Sequence, residues 1–156
     1  MHFARALPQD AALLTELAFA SKRHWGYPEA CIEEWRGSLT VQPEFVLSRE
    51  VWTAVTDGTT IGFYALGPKD DGLELLHFWV RPEWIGRGIG RELFLHASNK
   101  ARELGCKNLY IESDPNAEGF YRRMGARRIG TVPSTVAGQP RELPLLAYEL
   151  VRCNTL

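Results

Sequence analysis

The stretch Ile85-Gly86-Arg87-Gly88-Ile89-Gly90-Arg91-Glu92-Leu93 has a glycine at every second position. It lies between a hydrophobic run, Leu73-Glu74-Leu75-Leu76-His77-Phe78-Trp79-Val80, and an amphipathic one. Glycine is costly inside a helix or strand, so the cluster needs a physical reason. One reason is a cradle of backbone N–H groups opening a helix, where the macrodipole favours phosphate. The other is a tight strand-to-helix turn with no ligand. Two familiar phosphate loops do not fit. A mononucleotide loop needs Lys-Ser/Thr after its glycines. A dinucleotide fingerprint begun at Gly86 meets Arg91 at its third glycine position, and the N-terminal βαβ unit it requires is missing.

Downstream of the glycines, Leu93, Phe94, Ala97, Ala101 and Leu104 form the apolar stripe of a long helix that Gly105 stops. Lys107-Asn108-Leu109-Tyr110-Ile111-Glu112-Ser113 reads as a strand. A helix joins it to the strand 73–80, so the two are expected to be parallel. Asp114-Pro115 starts a short helix through Asn116–Met124, ended by Gly125. Two final strands follow, 126–132 and 143–151.

Upstream, 51–57, 59–67 and 73–80 read as strands joined by turns at Asp57-Gly58 and around Asp70-Asp71-Gly72, which are antiparallel hairpin signals. Strict alternation puts Glu74, Leu76, Phe78 and Val80 on one face of the last strand, and Leu75, His77 and Trp79 on the other. Both faces are largely apolar, as expected for a strand covered on both sides. A first strand lies near residues 2–7. A helix follows over Gln9–Lys22, and a second over residues 29–39 buries Cys31, Ile32 and Trp35. The expected fold class is mixed α/β: an antiparallel N-terminal half, then a parallel central strand pair, flanked by helices.

A chain of 156 residues with 45% hydrophobic and 24% charged residues is expected to form one domain over 1–156. A net charge of −1 argues against a nucleic-acid partner. No apolar stretch is long enough to cross a bilayer, and the N-terminus has no leader pattern, so no membrane partner and a cytoplasmic location are expected. The three cysteines, Cys31, Cys106 and Cys153, make no CxxC pair or ligand cluster. They read as reduced packing residues, and no metal is implied.

Val80–Leu93, followed by Asn116-Ala117-Glu118-Gly119-Phe120-Tyr121-Arg122-Arg123-Met124-Gly125, resembles the GNAT superfamily of acyl-CoA-dependent N-acyltransferases. The order of elements from Phe3 to Val151 resembles that fold as well. One position departs: Ile85 stands where the family usually has Gln or Arg, which removes a polar side chain but no backbone N–H. The resemblance implies that the phosphate is the pyrophosphate of coenzyme A. The backbone amides of Gly86, Arg87, Gly88, Ile89, Gly90 and Arg91 would hold it, with glycine at 88 and 90 keeping the approach clear. The pantetheine arm would lie along Phe78-Trp79-Val80, where the parallel strands splay.

The resemblance also implies an acetyl-CoA-dependent N-acetyltransferase. It would act on a primary amine of a small molecule or protein, by direct attack in a ternary complex. Tyr121 would protonate the leaving thiolate, although by its residues alone Phe120-Tyr121 is a packing pair. Asn116 would contact the pantetheine or simply cap the helix. The Phe78 N–H would stabilise the oxyanion. Glu74 is either the general base, its pKa raised on a half-buried strand, or a solvated strand-start residue. His77 reads as a packed or hydrogen-bonded histidine. Trp25 and Tyr27 would line the acceptor side, or else plug the core after a helix end. Arg122, Arg123, Arg127 and Arg128 would neutralise phosphates or form a solvated face. Two further readings are a CoA-binding module with little catalysis, acting as a sensor or partner subunit, and an enzyme with a larger acyl donor. Dimers are common in the family, so a homodimer is an open expectation.

Overall fold

Asp57 and Gly58 both take positive φ, 48° and 74°, the combination a two-residue hairpin turn requires. In the computed structural model, which describes residues 1–150, this turn joins β2 (Glu50–Thr56) to β3 (Thr59–Lys69). A turn at Asp70 and Asp71 leads into β4 (Gly72–Val80). β1 (His2–Arg5) pairs antiparallel with β2. Helix α5 (Ile89–Glu103) then crosses to β5 (Asn108–Glu112), which lies parallel to β4. β6 (Arg127–Val136) and β7 (Gln139–Glu149) complete a sheet of order β1-β2-β3-β4-β5-β7-β6. The expected fold class, with its single parallel pair, is the one observed. Val151, expected in the last strand, and Cys153 lie outside the described residues.

The helices differ from expectation in detail. The first opens as a 3-10 turn, Pro8–Asp10, before α1 (Ala11–Arg23), because the Leu7 N–H is drawn to Asp10 Oδ2 at 2.8 Å. The segment 29–39 is two helices, α2 (Glu29–Glu34) and α3 (Arg36–Leu39), broken at Trp35. The Trp35 indole there donates to the Thr135 carbonyl at 3.2 Å. Helix α4 (Pro43–Ser48) is not legible in the sequence, since it buries only Val46 and shows no periodicity. Helix α6 (Glu118–Arg123) starts later than Asn116. Asp114 first captures the Asn116 N–H with its side chain and the Ala117 N–H with its carbonyl, forming a turn.

Two cores sandwich the sheet. On one side Leu93, Phe94, Ala97 and Ala101 of α5 pack on Leu75, Leu109 and Ile111. On the other, Leu14, Leu17 and Ala18 of α1 pack on Val51 and Phe63. The strand between them does not alternate throughout. Ala65 faces His77 and Leu66 faces Leu75, so Leu76 is an extra, bulged residue. The bulge corrects the expected faces. Leu75 joins Phe78 and Val80 on the α5 side, and Glu74 is separated from Phe78 and shares the face of His77 and Trp79.

Candidate active site at the splayed strand pair

β4 and β5 are paired only at Leu73 with Leu109 and Glu74 with Tyr110. Beyond those pairs the strands diverge. The Arg81 N–H bonds the Ile61 carbonyl at 2.8 Å, which sets the antiparallel alternation with β3. His77, Trp79 and Arg81 therefore direct their backbone groups at β3, while Phe78 and Val80 turn theirs into the gap. A cavity of about 630 Å³ occupies it, and Phe78, Trp79 and Val80 form one wall. A second cavity, of about 210 Å³, meets the first at Leu76, His77, Trp79, Glu112 and Asp114.

The glycine loop forms the far wall of the large cavity, through Gly86, Gly88, Gly90 and Arg91. Among the described residues, no backbone or side-chain acceptor takes any N–H from Gly86 through Arg91. The first helical hydrogen bond there is from the Glu92 N–H to the Gly88 carbonyl. Helix starts leave such donors for a ligand, and this one carries the positive end of a 15-residue macrodipole. Gly86 and Gly88 have φ of 81° and 83° with open space where a Cβ would stand, so backbone conformation is what demands glycine. Gly90 is different: a Cβ there would meet the Phe120 ring at 3.4 Å. The Ile89 side chain is buried in the core, and the Arg87 guanidinium lies over the Trp84 ring at 4.9 Å. Neither side chain lines the cavity, which leaves those positions only their N–H groups to offer. Of the arginine run, Arg123 lines the cavity, while Arg122 and Arg128 are bridged to Glu118.

Tyr121 is buried in an aromatic cluster with Phe78, Phe94 and Phe120 and lines the large cavity. Burial, then the charge of Asp114, raises its phenol above the ordinary range, so it remains an O–H donor at neutral pH. Its hydroxyl has no hydrogen-bond partner among the described residues, yet it is not among the atoms sealed from solvent. His77 is buried between Phe45 and Phe63, and its Nδ1 accepts the Trp79 indole N–H at 2.9 Å. Burial lowers its pKa to about 4, so the ring is neutral. Glu74, half-buried, does not line either cavity. Burial and the adjacent Glu112 carboxylate push its pKa up. Glu112 lines both cavities, with Lys69 Nζ 3.7 Å away.

Asp114 organises the rest. Its carboxylate takes Lys22 Nζ at 2.5 Å, the Tyr27 hydroxyl at 3.0 Å and the Asn116 amide at 2.9 Å. Burial works against its charge, but the Lys22 ammonium, the Asn116 backbone N–H and Tyr27 outweigh it and hold the carboxyl below its usual range. Lys22 also sits over the Trp35 ring at 4.6 Å. Trp25, exposed, lines the large cavity, as does Asn116. Tyr27 lines neither cavity, because its hydroxyl is turned into the Asp114 network. Nothing in the sequence reading singles out Glu112, Lys22 or Arg141, or gives Trp35 a place outside the core. Carboxylates at the C-terminal end of a strand entered by a crossover are the one available signal, since open α/β sheets bind ligands there. Among the described residues, no three His, Cys, Asp or Glu side chains stand together as a metal site, and no helix is long and apolar enough to span a membrane.

Comparison with known proteins agrees with this geometry. The model of the acetyltransferase (GNAT) family matches residues 12–126. A peptidyl-lysine N-acetyltransferase, YjaB, of Salmonella typhimurium is 33% identical over 107 residues, covering 67% of this chain and 69% of its own. An aminoglycoside N(6')-acetyltransferase of Stenotrophomonas maltophilia is 29% identical over 133 residues, 78% of this chain and 82% of its own. Among solved structures, the PaiA N-acetyltransferase of Thermoplasma acidophilum, in complex with coenzyme A, superposes with a TM-score of 0.76 at 21% identity. That superposition spans 95% of this chain and 98% of the other.

Proposed function

Because the chain belongs to the acetyltransferase (GNAT) family, we propose that it transfers an acetyl group from acetyl-CoA to a primary amine by direct attack in a ternary complex. The observation that carries this reading is the run of unclaimed N–H donors from Gly86 to Arg91, facing a cavity that leads to the unpaired backbone of Phe78 and Val80. Coenzyme A, when bound, supplies the acetyl group as a reactive thioester. The loop amides and the helix dipole bind its diphosphate, and Arg91 and Arg123 add charge. The free N–H groups of Phe78 and Val80 hold the pantetheine arm as an added strand. Of these, the Phe78 N–H serves as the oxyanion donor.

The acceptor amine enters through the smaller cavity. Glu112, on the shared wall, takes its proton, and behind it stands the Glu74 carboxyl, whose own pKa burial and Glu112 push up. Tyr121, held as an O–H donor, protonates the departing thiolate. Trp25 flanks the entrance to the large cavity, while Tyr27 supports Asp114. Titration calorimetry with acetyl-CoA, coenzyme A and ATP tests the cradle. Micromolar binding of both coenzyme A species with much weaker ATP supports it, and no coenzyme A binding overturns it. Tyr121→Phe separates an enzyme from a binding module. Acetyl transfer is expected to fall by about 10² to 10⁴ with coenzyme A affinity kept, the range for losing a general acid.

A further inference from the structure

We infer that the smaller cavity accepts an amine that also carries a carboxylate, an amino-acid-like acceptor, with Arg141 as the carboxylate anchor. The inference rests on the proposed acetyl transfer and specifies its acceptor class.

Arg141 lines the smaller cavity from β7. Its guanidinium carbon lies 4.9 Å from the Trp35 ring centre and 5.7 Å from that of Tyr27, so aromatic faces fix its plane. Its hydrogen bonding is unfinished. Nη1 reaches only the Tyr27 hydroxyl at 3.3 Å, and Nε is sealed from solvent with no acceptor. No carboxylate stands within ion-pair distance of it among the described residues. Of the other charges around the cavity, Lys22 and Asp114 bind each other at 2.5 Å, with the Tyr27 hydroxyl between Asp114 and Arg141, while Glu112 has only Lys69 at 3.7 Å, beyond hydrogen-bond distance. A guanidinium held between aromatic faces, with no carboxylate partner of its own, is poised for a bidentate anion at its outer nitrogens, the partner a guanidinium fork fits best.

The remaining lining fixes the rest of the acceptor. Glu112 stands on the wall shared with the large cavity, the side from which the acetyl group arrives. Glu112 and Arg141 line the same cavity, so an acceptor lying along it would meet Glu112 with its amine and Arg141 with its carboxylate. A volume of about 210 Å³ lies under the roughly 300–1,000 Å³ that holds drug-sized ligands. The β6–β7 hairpin is tied over the α2–α3 segment by Trp35 to the Thr135 carbonyl at 3.2 Å and by Thr135 to Glu34 at 2.6 Å. A polycationic acceptor would bring further positive charge against Arg141 and Lys22.

The test is a panel of the common amino acids, their carboxamides, an aminoglycoside and a lysine peptide, each assayed with acetyl-CoA by release of the coenzyme thiol. One or more free amino acids are expected to exceed their own carboxamides in kcat/KM by about ten- to a hundredfold, the range for a charge-assisted hydrogen-bonded pair. Arg141→Gln is expected to erase that preference by raising KM for the carboxylate acceptor, and Arg141→Lys to restore part of it. Calorimetry on the same proteins reads coenzyme A affinity. Coenzyme A binding without turnover of any carboxylate-bearing amine overturns the inference. So does equal or better use of the carboxamides, the aminoglycoside or the peptide, and so does an equal loss on acid and amide in Arg141→Gln. The wild-type panel decides the question even if a variant fails to fold. Absence of coenzyme A binding is a separate result, and it overturns the reading of the cradle itself.

Discussion

The two cavities meet along one wall but are built in opposite ways. Half of the large one's lining comes from two neighbouring pieces of chain, the end of β4 and the loop that opens α5, and most of the rest from β5, α6 and the turn between them. The part built by the loop and β4 offers backbone chemistry, free N–H groups and a helix dipole, beside the side chains of Tyr121, Arg91 and Arg123. The small one is drawn from α1, α3, β4, β5, β6 and β7, and its chemistry is in side chains: Lys22, Trp35, Glu112, Asp114 and Arg141. A site made of backbone tolerates drift in its side chains, whereas a site made of side chains changes its ligand with each substitution. With the large cavity proposed for the acyl donor and the small one for the acceptor, the difference would let one donor be kept while acceptors change.

The largest expected effect breaks the side-chain cavity at its centre. Lys22 and Asp114 are buried, with side-chain exposures of 10% and 11%. Asp114→Asn leaves the Lys22 ammonium without its counter-charge, and losing one partner of a buried pair costs about 3–5 kcal/mol. An unfolding free energy lowered by that amount, read from a lower denaturant midpoint, is expected, with the acceptor KM raised more than the coenzyme A Kd. An unchanged midpoint would mean that water reaches Lys22 and the network is soft.

His77, on the shared wall, gives the next effect, read through pH. Its pKa is about 4 in the folded chain, against an ordinary 6.5 when unfolded. Above pH 6.5 both states are neutral there, and stability is independent of this ring. Between 6.5 and 4 the unfolded chain binds a proton that the folded one refuses, so stability falls as pH falls. The loss amounts to about 3 kcal/mol at most and levels off below pH 4. His77→Gln, which can still accept the Trp79 indole N–H, is expected to remove that part of the pH slope. A slope of the same size in the variant would assign it to the carboxylates instead.

The smallest effect belongs to the backbone cavity. Gly88→Ala forces an L-residue to a φ of 83°, at about 1–2 kcal/mol, and projects a methyl group into open space at the cradle. Coenzyme A affinity is expected to fall about tenfold or more. Gly105→Ala, at a φ of 79° just past the C-terminal end of α5, carries the same strain at the opposite end of that helix from the cradle and is expected to lower stability alone. Equal coenzyme A affinities in the two variants would mean that the loop is a turn and not a cradle.

The glycine run, the crossover helix and the hairpin turns are legible because each is local: a φ demand, a helical period or a two-residue turn is encoded by neighbours in the chain. The parallel pairing of β4 with β5 and the loop that opens α5 are therefore readable from consecutive residues alone. The faces of β4 depart from strict alternation at one residue, because a bulge at Leu76 depends on how β3 pairs with it. That one residue separates Glu74 from Phe78 and leaves Glu112, not Glu74, on the cavity wall. Helix α4 is not legible because its few residues carry no period.

The sequence by itself determined the fold class and the glycine loop proposed to hold the acyl donor, since both follow from backbone demands written in consecutive residues. Only the tertiary structure decided the smaller cavity, proposed for the acceptor. Lys22, Trp35, Asp114 and Arg141 span more than a hundred positions, and no local rule relates them. Their charges are matched or left open through space: Lys22 by Asp114, and Arg141 by no residue described. Coulomb attraction and hydrogen bonding depend on distance in the folded chain, not on separation along it.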